Sequence, residues 1–487
     1  MKLNDPRLFR QYAYIDGKWT HGSEGREEAV VDPATGETLG HCALLEAAQI
    51  TETVTAAEGA FAEWRAINVH ERAEKLNAWY RLLHEHKEDL ALLMTYEQGK
   101  PLDDSRGEVD YGASFIQWFA EEAKRAYGVT IPSHIPNAAL GTIKEPVGVS
   151  AMFTPWNFPL AMITRKAGAA LAAGCTVIVK PANETPYSAL ALAELAERAG
   201  IPAGVFNVVT GDPATVSEVL CNDNRIRNIS FTGSTRVGKL LMRQSSSSVK
   251  RMSLELGGNA PFIVCDDMDP DAAAKEAVAA KFQTAGQDCL AANRLFVHRR
   301  IYDAFVERFL VHMQALKVGN GLEGSDIGPL IHQRAVDMAK GIVEDGIQKG
   351  ARKLGGEGQA PGENFFMPTL LADITPEMRV FREETFSPVA GVCAFDDDDE
   401  VIRLANDTEY GLAAYVYTHD VRRIWKLMRG LEYGMVSVNS VKMTGAPIPF
   451  GGVKQSGLGR EGGAAGLDEY LDTKYYCLGN MPSASNS

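Results

Sequence analysis

Between residues 147 and 263, short runs rich in β-branched residues alternate with longer runs of helical character. This alternation is typical of βαβ units, in which parallel strands form a sheet with helices on its faces. The run TVIVK, which ends at Lys180, is almost continuously apolar, as expected for a strand that is buried on both faces of a sheet. The sequence therefore predicts an α/β fold built on a parallel sheet.

A second alternation starts near residue 269 and continues to about residue 467, which predicts a second α/β domain. Before the first sheet, residues 51–127 show helical periodicity that breaks at the Gly-Lys-Pro segment 99–101. Residues 128–146 are extended and punctuated by proline. We expect this last segment to form a β-hairpin that leaves the body of the protein as an arm.

The composition excludes several functional classes. The chain has 487 residues, of which 45% are hydrophobic, enough for two or three domains with cores. A formal net charge of −14 and the lack of any dense Lys/Arg cluster argue against nucleic-acid binding. The seven cysteines are scattered without CxxC pairs, which indicates reduced thiols. The N-terminal segment lacks a signal-peptide pattern and no apolar run is long enough to span a membrane, so we expect a cytoplasmic protein.

Cys289 follows a Gly-Gln-Asp turn and is the first candidate for a catalytic residue. A lone cysteine is more often a buried apolar residue than a nucleophile, so other parts of the chain must decide between the two. His298, nine residues later, is the one nearby histidine that can activate a thiol. One hypothesis is therefore a cofactor-independent cysteine hydrolase or acyltransferase with a Cys289–His298 dyad.

Two segments of the first alternation are candidates for cofactor binding. Residues 231–238, FTGSTRVG, form a Gly-rich turn between a strand and a helix, where backbone N–H groups can approach a phosphate. Lys180 ends its strand at the edge where open α/β sheets bind ligands, so its ammonium can reach a ribose or a phosphate. The segment GLGREG at 457–462 matches G-x-G-x-x-G, but no second βαβ unit follows it, so we interpret it as a loop.

Two further segments contain polar residues suited to catalysis. Asn157 lies in TPWNFP, where two prolines restrict the backbone around an amide that can stabilise an oxyanion. Glu255 ends a strand before a Gly-Gly pair and can act as a general base. We expect no metal site, because His84 and His86 face different sides of a helix and the acidic run 396–400 is typical of a solvated helix start.

Together these segments resemble the NAD(P)-dependent aldehyde dehydrogenase superfamily, and most closely its succinate-semialdehyde dehydrogenase branch. The resemblance extends over nearly the whole chain and rests on the motifs TPWNFP, RKAGAALAAGCTVIVKPA, FTGSTRVG, LELGGNAPFIV, GQDC, EETFSPV and PFGGVKQSGLGRE, in that order. It implies an enzyme that oxidises an aldehyde with NAD or NADP. The cysteine hydrolase and a non-catalytic protein of the same fold remain as weaker hypotheses.

The resemblance implies a role for each candidate catalytic residue. Cys289 attacks the aldehyde carbon, and the oxyanion that forms lies near the Asn157 amide and the Cys289 backbone N–H. Glu255 matches the general base of the family, while Lys166 and Glu461 match positions proposed for a proton relay. Hydride transfer then leaves a thioester on the cysteine, which water hydrolyses to the acid.

The resemblance also implies which residues hold the cofactor. NAD-selective relatives commonly have a glutamate where this chain has Asn183, and a neutral amide does not repel a 2′-phosphate. Since the neighbouring Glu184 can act in the opposite direction, we predict use of both NAD and NADP, with a preference below about a hundredfold. The cofactor residues implied are Trp156, Lys180, Asn183, Gly233, Ser234, Glu384 and Phe386.

The substrate residues depart from the succinate-semialdehyde branch. Relatives usually pair the arginine that matches Arg165 with a second arginine six residues before the nucleophile, where this chain has Gln283. Lys442, in a loop that borders the substrate entrance of the family, can restore a positive charge. We predict a small semialdehyde with a terminal carboxylate, such as succinate semialdehyde, with relaxed discrimination toward uncharged aldehydes. Ala291 replaces the second cysteine of some relatives, so we expect no local redox switch.

The implied fold has three parts. A Rossmann-like cofactor domain spans residues 1–127 and 147–257, a catalytic α/β domain spans 258–466, and an oligomerisation arm combines 128–146 with 467–487. Because such arms join subunits in the family, we expect a homodimer or homotetramer. The expected partner is a small aldehyde, without nucleic acid and without a membrane.

Overall fold

The computed structural model describes residues 1–480, in which helices and strands alternate along most of the chain. Residues 481–487, which the sequence assigns to the oligomerisation arm, lie outside the described residues. The helices are α1 Ala47–Ala66, α2 Val69–Glu85, α3 Lys87–Gln98, α4 Leu102–Glu122, α5 Ala161–Ala173, α6 Pro186–Arg198, α7 Pro213–Asn222, α8 Thr235–Ser245, α9 Pro270–Phe282, α10 Tyr302–Gln314, α11 Gln333–Gln348, α12 Arg379–Arg382, α13 Asp398–Asn406, α14 Val421–Gly430 and α15 Gly463–Asp468.

The strands form two large sheets, a three-stranded sheet and a separate hairpin. They are β1 Ala13–Ile15, β2 Lys18–Thr20, β3 Glu27–Val31, β4 Thr38–Ala43, β5 Thr130–Ile131, β6 Ala139–Pro146, β7 Val149–Phe153, β8 Val177–Lys180, β9 Phe206–Val208, β10 Ile226–Thr232, β11 Arg251–Glu255, β12 Ala260–Val264, β13 Ala292–His298, β14 Arg352–Gly355, β15 Thr369–Ala372, β16 Val389–Phe395, β17 Ala413–Tyr417, β18 Met435–Val438, β19 Gly457–Leu458 and β20 Leu471–Leu478.

The first large sheet has the order β19-β11-β10-β7-β8-β9-β1-β2. Its strands from β11 to β9 are parallel, which confirms the α/β fold expected from the alternation. The strands at its two ends pair antiparallel, and two of them, β1 and β2, come from N-terminal residues for which the sequence predicted no element. The segment GLGREG contributes the short edge strand β19, so it is not entirely a loop.

The register of this sheet brings four candidate segments to one edge. Phe153, the last residue of β7, pairs with Lys180 of β8 and with Phe231 of β10, and Thr232 pairs with Glu255 of β11. The carboxyl ends of these strands are therefore level. The TPWNFP loop, Lys180, the FTGS turn and Glu255 all emerge there, at the edge where parallel sheets bind ligands.

The second large sheet has the order β14-β15-β16-β13-β12-β17-β18 and is parallel except for β14. Cys289 lies just before the amino end of β13, and Glu384 lies before the amino end of the adjacent β16. The link from β11 to β12 passes between the two sheets, where a Cβ atom on Gly258 would lie 2.3 Å from the Cys289 carbonyl oxygen. Only glycine fits this approach, which brings the carboxyl edge of the first sheet close to the Cys289 loop.

Local signals account for the limits of the helices near the site. Helix α3 ends at Gly99, which has a left-handed φ of 92°, and Pro101 precedes α4. Helix α5 is buried along its entire length, so its two charged residues, Arg165 and Lys166, are enclosed in protein. No helix within residues 1–480 is both long and apolar enough to cross a membrane.

The segment predicted as an arm forms the hairpin β5–β6 in the third sheet, which has the order β20-β6-β5. Strand β20 pairs antiparallel with β6 from Leu471–Pro146 to Leu478–Ala139, so the end of the chain adds a strand to the hairpin. Several apolar side chains of this sheet are exposed to solvent, among them Ile143, Tyr475 and Leu478.

Candidate active site

Cys289 lies in a half-buried position in the loop between α9 and β13. It packs against the apolar core of the second sheet, of which Phe450 is a member. Burial raises the pKa of the thiol well above its ordinary value, and the adjacent Asp288 carboxylate adds to this effect, whereas the Arg165 guanidinium opposes it. The thiol is therefore protonated at rest and needs a base, or a change in its charged neighbours, to become a nucleophile.

Asn157 is brought to the Cys289 loop by a direct hydrogen bond. Its buried Nδ2 group donates to the carbonyl oxygen of Gln287 over 3.0 Å, and Gln287 precedes Cys289 by two residues. Gln287 is held in turn by the Ile331 backbone N–H, which donates to its Oε1 over 3.0 Å. The predicted oxyanion donor and the predicted nucleophile thus belong to one connected arrangement.

Glu255 is the last residue of β11, and its carboxylate lacks hydrogen bonds to the described residues. Both carboxylate oxygens are buried, and neither has a hydrogen-bond partner among residues 1–480. Burial raises the pKa of Glu255 well above its ordinary value, the Glu461 carboxylate adds to the rise, and Arg165 and Lys166 oppose it. A buried carboxyl group with a raised pKa is suited to accept a proton near neutral pH.

Arg165, Lys166 and Glu461 form a buried ionic cluster. Glu461 accepts hydrogen bonds from Arg165 Nε and from Lys166 Nζ, and Lys166 Nζ also donates to Thr232 Oγ1 over 2.7 Å. The pKa of Glu461 is lowered, because the two cations outweigh the effect of burial. The Arg165 guanidinium lies 4.1 Å from the centre of the Phe450 ring, and Phe450 belongs to the core against which Cys289 packs. The predicted relay residues are therefore in contact, and Arg165 joins them.

The residues predicted to bind the adenosine half of the cofactor form a chain of hydrogen bonds. Lys180 Nζ donates to Pro181 O over 2.6 Å and to Asn183 Oδ1 over 2.7 Å. Asn183 Nδ2 then donates to Glu28 Oε2 over 2.7 Å. Burial lowers the pKa of Lys180 to about 8, and the nearby Glu184 carboxylate opposes that shift. No sequence pattern points to Glu28, because it lies in the hairpin β3–β4, outside both alternations.

The residues predicted for the phosphates and the nicotinamide half surround the same edge. Ser234 caps α8 by accepting from the Val237 N–H, and Gly233 precedes it. Glu384 Oε1 accepts from the Gly258 N–H over 2.9 Å, and burial raises the pKa of Glu384 to about 7. The rings of Trp156 and Phe386 meet edge to face with centroids 5.5 Å apart. A lysine, a helix N-terminus behind a glycine turn and a carboxylate along one edge fit a dinucleotide.

Two predicted substrate residues are exposed to solvent. Gln283 is exposed and lines a surface groove with Lys275 and His312, because Thr284 and Ala285 adopt left-handed φ values of 49° and 57° that turn the chain at this point. The structure does not bring Gln283 to Arg165. Lys442 is exposed as well, and makes no ion pair to any described residue.

The hydrolase hypothesis is wrong, because its two residues are at opposite ends of a strand. His298 is the last residue of β13, whereas Cys289 lies before the first, and at about 3.3 Å per residue the strand separates them by roughly 20 Å. His298 Nδ1 accepts from the Arg300 N–H, and its ring packs against Phe395. It is a structural residue, so no dyad forms.

Comparison with known proteins places the chain in the Aldehyde dehydrogenase family, whose sequence profile matches residues 19–476. A relative from Halomonas elongata, named aspartate-semialdehyde dehydrogenase (non-phosphorylating), is 72% identical over 100% of this chain and 99% of its own. A relative from Escherichia coli, named as an NADP(+) succinate-semialdehyde dehydrogenase, is 51% identical over 98% of this chain and 100% of its own.

Solved structures agree with this assignment. A crystal structure described as an E. coli NADP-dependent enzyme is 51% identical and superimposes with a TM-score of 0.97, covering 98% of this chain and 100% of that one. The protein therefore belongs to the aldehyde dehydrogenase family and has its fold. It is an oxidoreductase that oxidises an aldehyde with NAD or NADP.

Proposed function

We propose that the protein oxidises a four-carbon semialdehyde that carries an α-amino acid group, L-aspartate 4-semialdehyde, to the corresponding acid. The observation that carries this proposal is that two opposite charges act on Cys289, the carboxylate of the adjacent Asp288 and the buried guanidinium of Arg165. The 72% identical relative is named for the same aldehyde. Succinate semialdehyde, which has the same carbon skeleton without the amino group, is the second candidate.

Arg165 supplies the positive charge for the substrate carboxylate. Its Nε donates to Glu461 and its Nη2 to Met162 Sδ, and the Tyr111 side chain lies within hydrogen-bonding reach of the guanidinium. A guanidinium keeps its charge at every physiological pH and binds carboxylates with good geometry. With Gln283 turned away, Arg165 is the cation that remains next to the thiol.

Asp288 supplies the negative charge for the substrate ammonium. Its Oδ1 accepts from the Leu290 N–H over 2.9 Å, and the side chain makes no ion pair within residues 1–480. A carboxylate beside a nucleophilic cysteine is unfavourable, since it opposes formation of the thiolate. An α-ammonium lies within about 4 Å of the aldehyde carbon, so a bound amino acid neutralises Asp288 next to the thiol that must ionise.

The reaction then uses the chemistry of the buried residues. Loss of its proton to water lets Cys289 Sγ form a bond to the aldehyde carbon, and the oxyanion of this thiohemiacetal accepts hydrogen bonds from Asn157 Nδ2 and the Cys289 N–H. NAD or NADP, when held by the residues described below, would supply the acceptor for the hydride of this carbon. Glu255 removes a proton from the water that cleaves the resulting thioester, and the acid and the thiol are released.

The cofactor is held, in this proposal, along the carboxyl edge of the first sheet. Lys180 and Asn183 contact the adenosine ribose, Gly233 and Ser234 the diphosphate, and Glu384 the nicotinamide ribose, with Trp156 and Phe386 packed beside it. The carboxylate and ammonium groups at this edge match the hydroxyl and phosphate groups of a dinucleotide. Lys166 and Glu461 carry the proton that Glu255 receives toward the surface.

The test of the substrate compares two aldehydes in two proteins. Wild type should show a higher kcat/KM for aspartate semialdehyde than for succinate semialdehyde. Asp288→Asn should lower kcat/KM for the amino substrate about 10- to 100-fold, the range for loss of a charged hydrogen bond, and should not lower it for succinate semialdehyde. An equal loss for both aldehydes would contradict a role of Asp288 in recognising the ammonium.

The protein assembles, we further propose, as a homodimer or homotetramer through the sheet β20-β6-β5. Ile143, Tyr475 and Leu478 on this sheet are 44%, 54% and 53% exposed, and apolar side chains in such number on one small sheet indicate an interface. Light scattering after size exclusion should give a multiple of the 52.9 kDa subunit mass. Ile143→Glu should lower that mass, and a monomeric wild type would contradict the proposal.

A further inference from the structure

A buried ion pair with no part in the proposed chemistry lies next to the oxyanion donor. Lys100 follows Gly99 in the break between α3 and α4, and Glu108 lies in the second turn of α4. Their side chains are 0% and 1% exposed, and Nζ and Oε2 are 2.5 Å apart. Burying two charged groups costs solvation free energy. The groups that this ion pair contacts therefore indicate its role.

The pair contacts both ends of the same short segment. Lys100 Nζ donates to the carbonyl oxygen of Asn157 over 2.6 Å. Glu108 Oε1 accepts from the backbone N–H groups of Leu160 and Ala161 over 2.9 and 3.0 Å, and so satisfies the start of α5. Residues 157–161 are thus held at their first carbonyl and at their last two N–H groups by one ion pair.

This segment carries the Asn157 amide that reaches the Cys289 loop. Lys100 holds the backbone of Asn157 from one side, while Gln287 O accepts from its side chain on the other. The break that carries Lys100 is itself packed against the segment between α10 and α11, since a Cβ on Gly321 would lie 2.4 Å from the Lys100 carbonyl oxygen. The direction of the Asn157 amide is therefore set from two sides.

We propose that Lys100 and Glu108 are positioning residues that aim the Asn157 amide at the oxyanion of the reaction. The proposal rests on the proposed role of Asn157 as oxyanion donor. Neither residue touches the reacting atoms, so both act through the backbone of residues 157–161. Loss of the pair is expected to slow the first chemical step while leaving substrate and cofactor binding in place.

The experiment is a double-mutant cycle on the rate of the first turnover, followed by the absorbance of reduced cofactor. Asn157→Ala should lower this rate about 100-fold or more, as for removal of an oxyanion donor. Glu108→Gln should lower it at least about tenfold in the wild-type background and less than about twofold in the Asn157→Ala background. Dissociation constants for NAD and NADP should change less than about twofold.

A matched control distinguishes an effect on the orientation of the Asn157 amide from an effect on the stability of the protein. Glu97 is also a buried glutamate that satisfies a helix start, accepting from the Tyr187 and Ser188 N–H groups over 2.7 and 2.8 Å at α6. Glu97→Gln should lower Tm as Glu108→Gln does, but should leave the first-turnover rate within about twofold of wild type. If it slows that rate as much as Glu108→Gln does, the proposal is overturned.

Two results distinguish failure of the pair from failure of the oxyanion role. Equal effects of Glu108→Gln in both backgrounds, with Asn157→Ala itself slow, would overturn the role of the pair alone. A normal first turnover in Asn157→Ala would overturn the oxyanion role and this proposal with it. Lys100→Met repeats the cycle from the other partner, and if that variant does not fold, Glu108→Asp replaces it.

Discussion

The two ends of the predicted cofactor edge differ in how their polar groups are held. At the end near Cys289, Asn157, Glu255 and Glu461 are buried and their neighbours are protein groups. At the adenosine end, Lys180 is buried, but its hydrogen-bond chain runs through half-buried Asn183 to exposed Glu28. Electrostatic effects are strong where water is excluded and weak where it is not. Substitutions near Cys289 should therefore change the reaction rates greatly. Substitutions at the adenosine end should change the selectivity between NAD and NADP.

The largest effect is expected at the thiol. Cys289→Ala should lower aldehyde oxidation by more than about 10⁴-fold, because the covalent step has no substitute. The dissociation constant for NAD, measured by calorimetry, should stay within about twofold of wild type. Cys477→Ala, at an exposed cysteine, serves as the control and should have normal activity. Steady-state turnover by Cys289→Ala would contradict covalent catalysis.

The next effect is expected at Glu255. Glu255→Gln should slow thioester hydrolysis about 10²- to 10³-fold, the range for a general base, and a burst of reduced cofactor should become visible in stopped flow. In wild type, kcat should rise with pH through the raised pKa of this group, because the carboxylate is the active form. A linear time course without a burst, at normal kcat, would show that Glu255 does not act in deacylation.

A smaller effect is expected at Glu28. Because its carboxylate ends the chain from Lys180 and Asn183, Glu28→Gln should shift the ratio of kcat/KM for NADP over NAD about fivefold toward NADP, as for removal of ~1 kcal/mol of repulsion. Glu27→Gln is the matched control, since its side chain leaves the opposite face of β3. Asn183→Glu should shift the ratio toward NAD. An unchanged ratio in Glu28→Gln would mean that this carboxylate does not face the ribose.

The smallest effect is expected from the charge on Lys180. The ammonium form predominates below the pKa of about 8 and attracts a 2′-phosphate, so preference for NADP should fall as pH rises through that value. Between pH 7 and 9 we expect a decrease of about two- to threefold in the NADP over NAD ratio. Lys180→Arg should remove this dependence, since a guanidinium stays charged. A constant ratio in wild type would argue against contact between Lys180 and the phosphate.

The sequence predicts the residues around Cys289 better than those at the adenosine end of the cofactor edge. Cys289, Asn157 and Glu255 lie in motifs at strand or helix ends, and parallel strands bring such ends together whatever the details of packing. The sequence also indicates the break at Gly99, but only as the end of a helix. That Lys100 reaches Asn157 depends on how α4 packs against α5, which no local pattern contains.

The positions of Gln283, Lys442 and Glu28 cannot be predicted from the sequence, and the reason differs for each residue. Gln283 turns outward because two non-glycine residues after it adopt left-handed φ values, which local propensity disfavours. Lys442 is exposed, while its neighbours Val441 and Met443 pack against the same core as Cys289. Glu28 meets Asn183 across 155 residues, in a hairpin that belongs to neither predicted sheet.

The independence of the hairpin β3–β4 has an evolutionary consequence. Its two strands pair with each other and with no strand of the large sheets, so exposed positions such as Glu28 can mutate without disturbing the register of either sheet. If Glu28 faces the adenosine ribose as predicted, coenzyme choice can change between lineages by single substitutions on this hairpin while the catalytic machinery stays unchanged. The same property makes Glu28 a convenient starting point for engineering a variant matched to a host's supply of NAD or NADP.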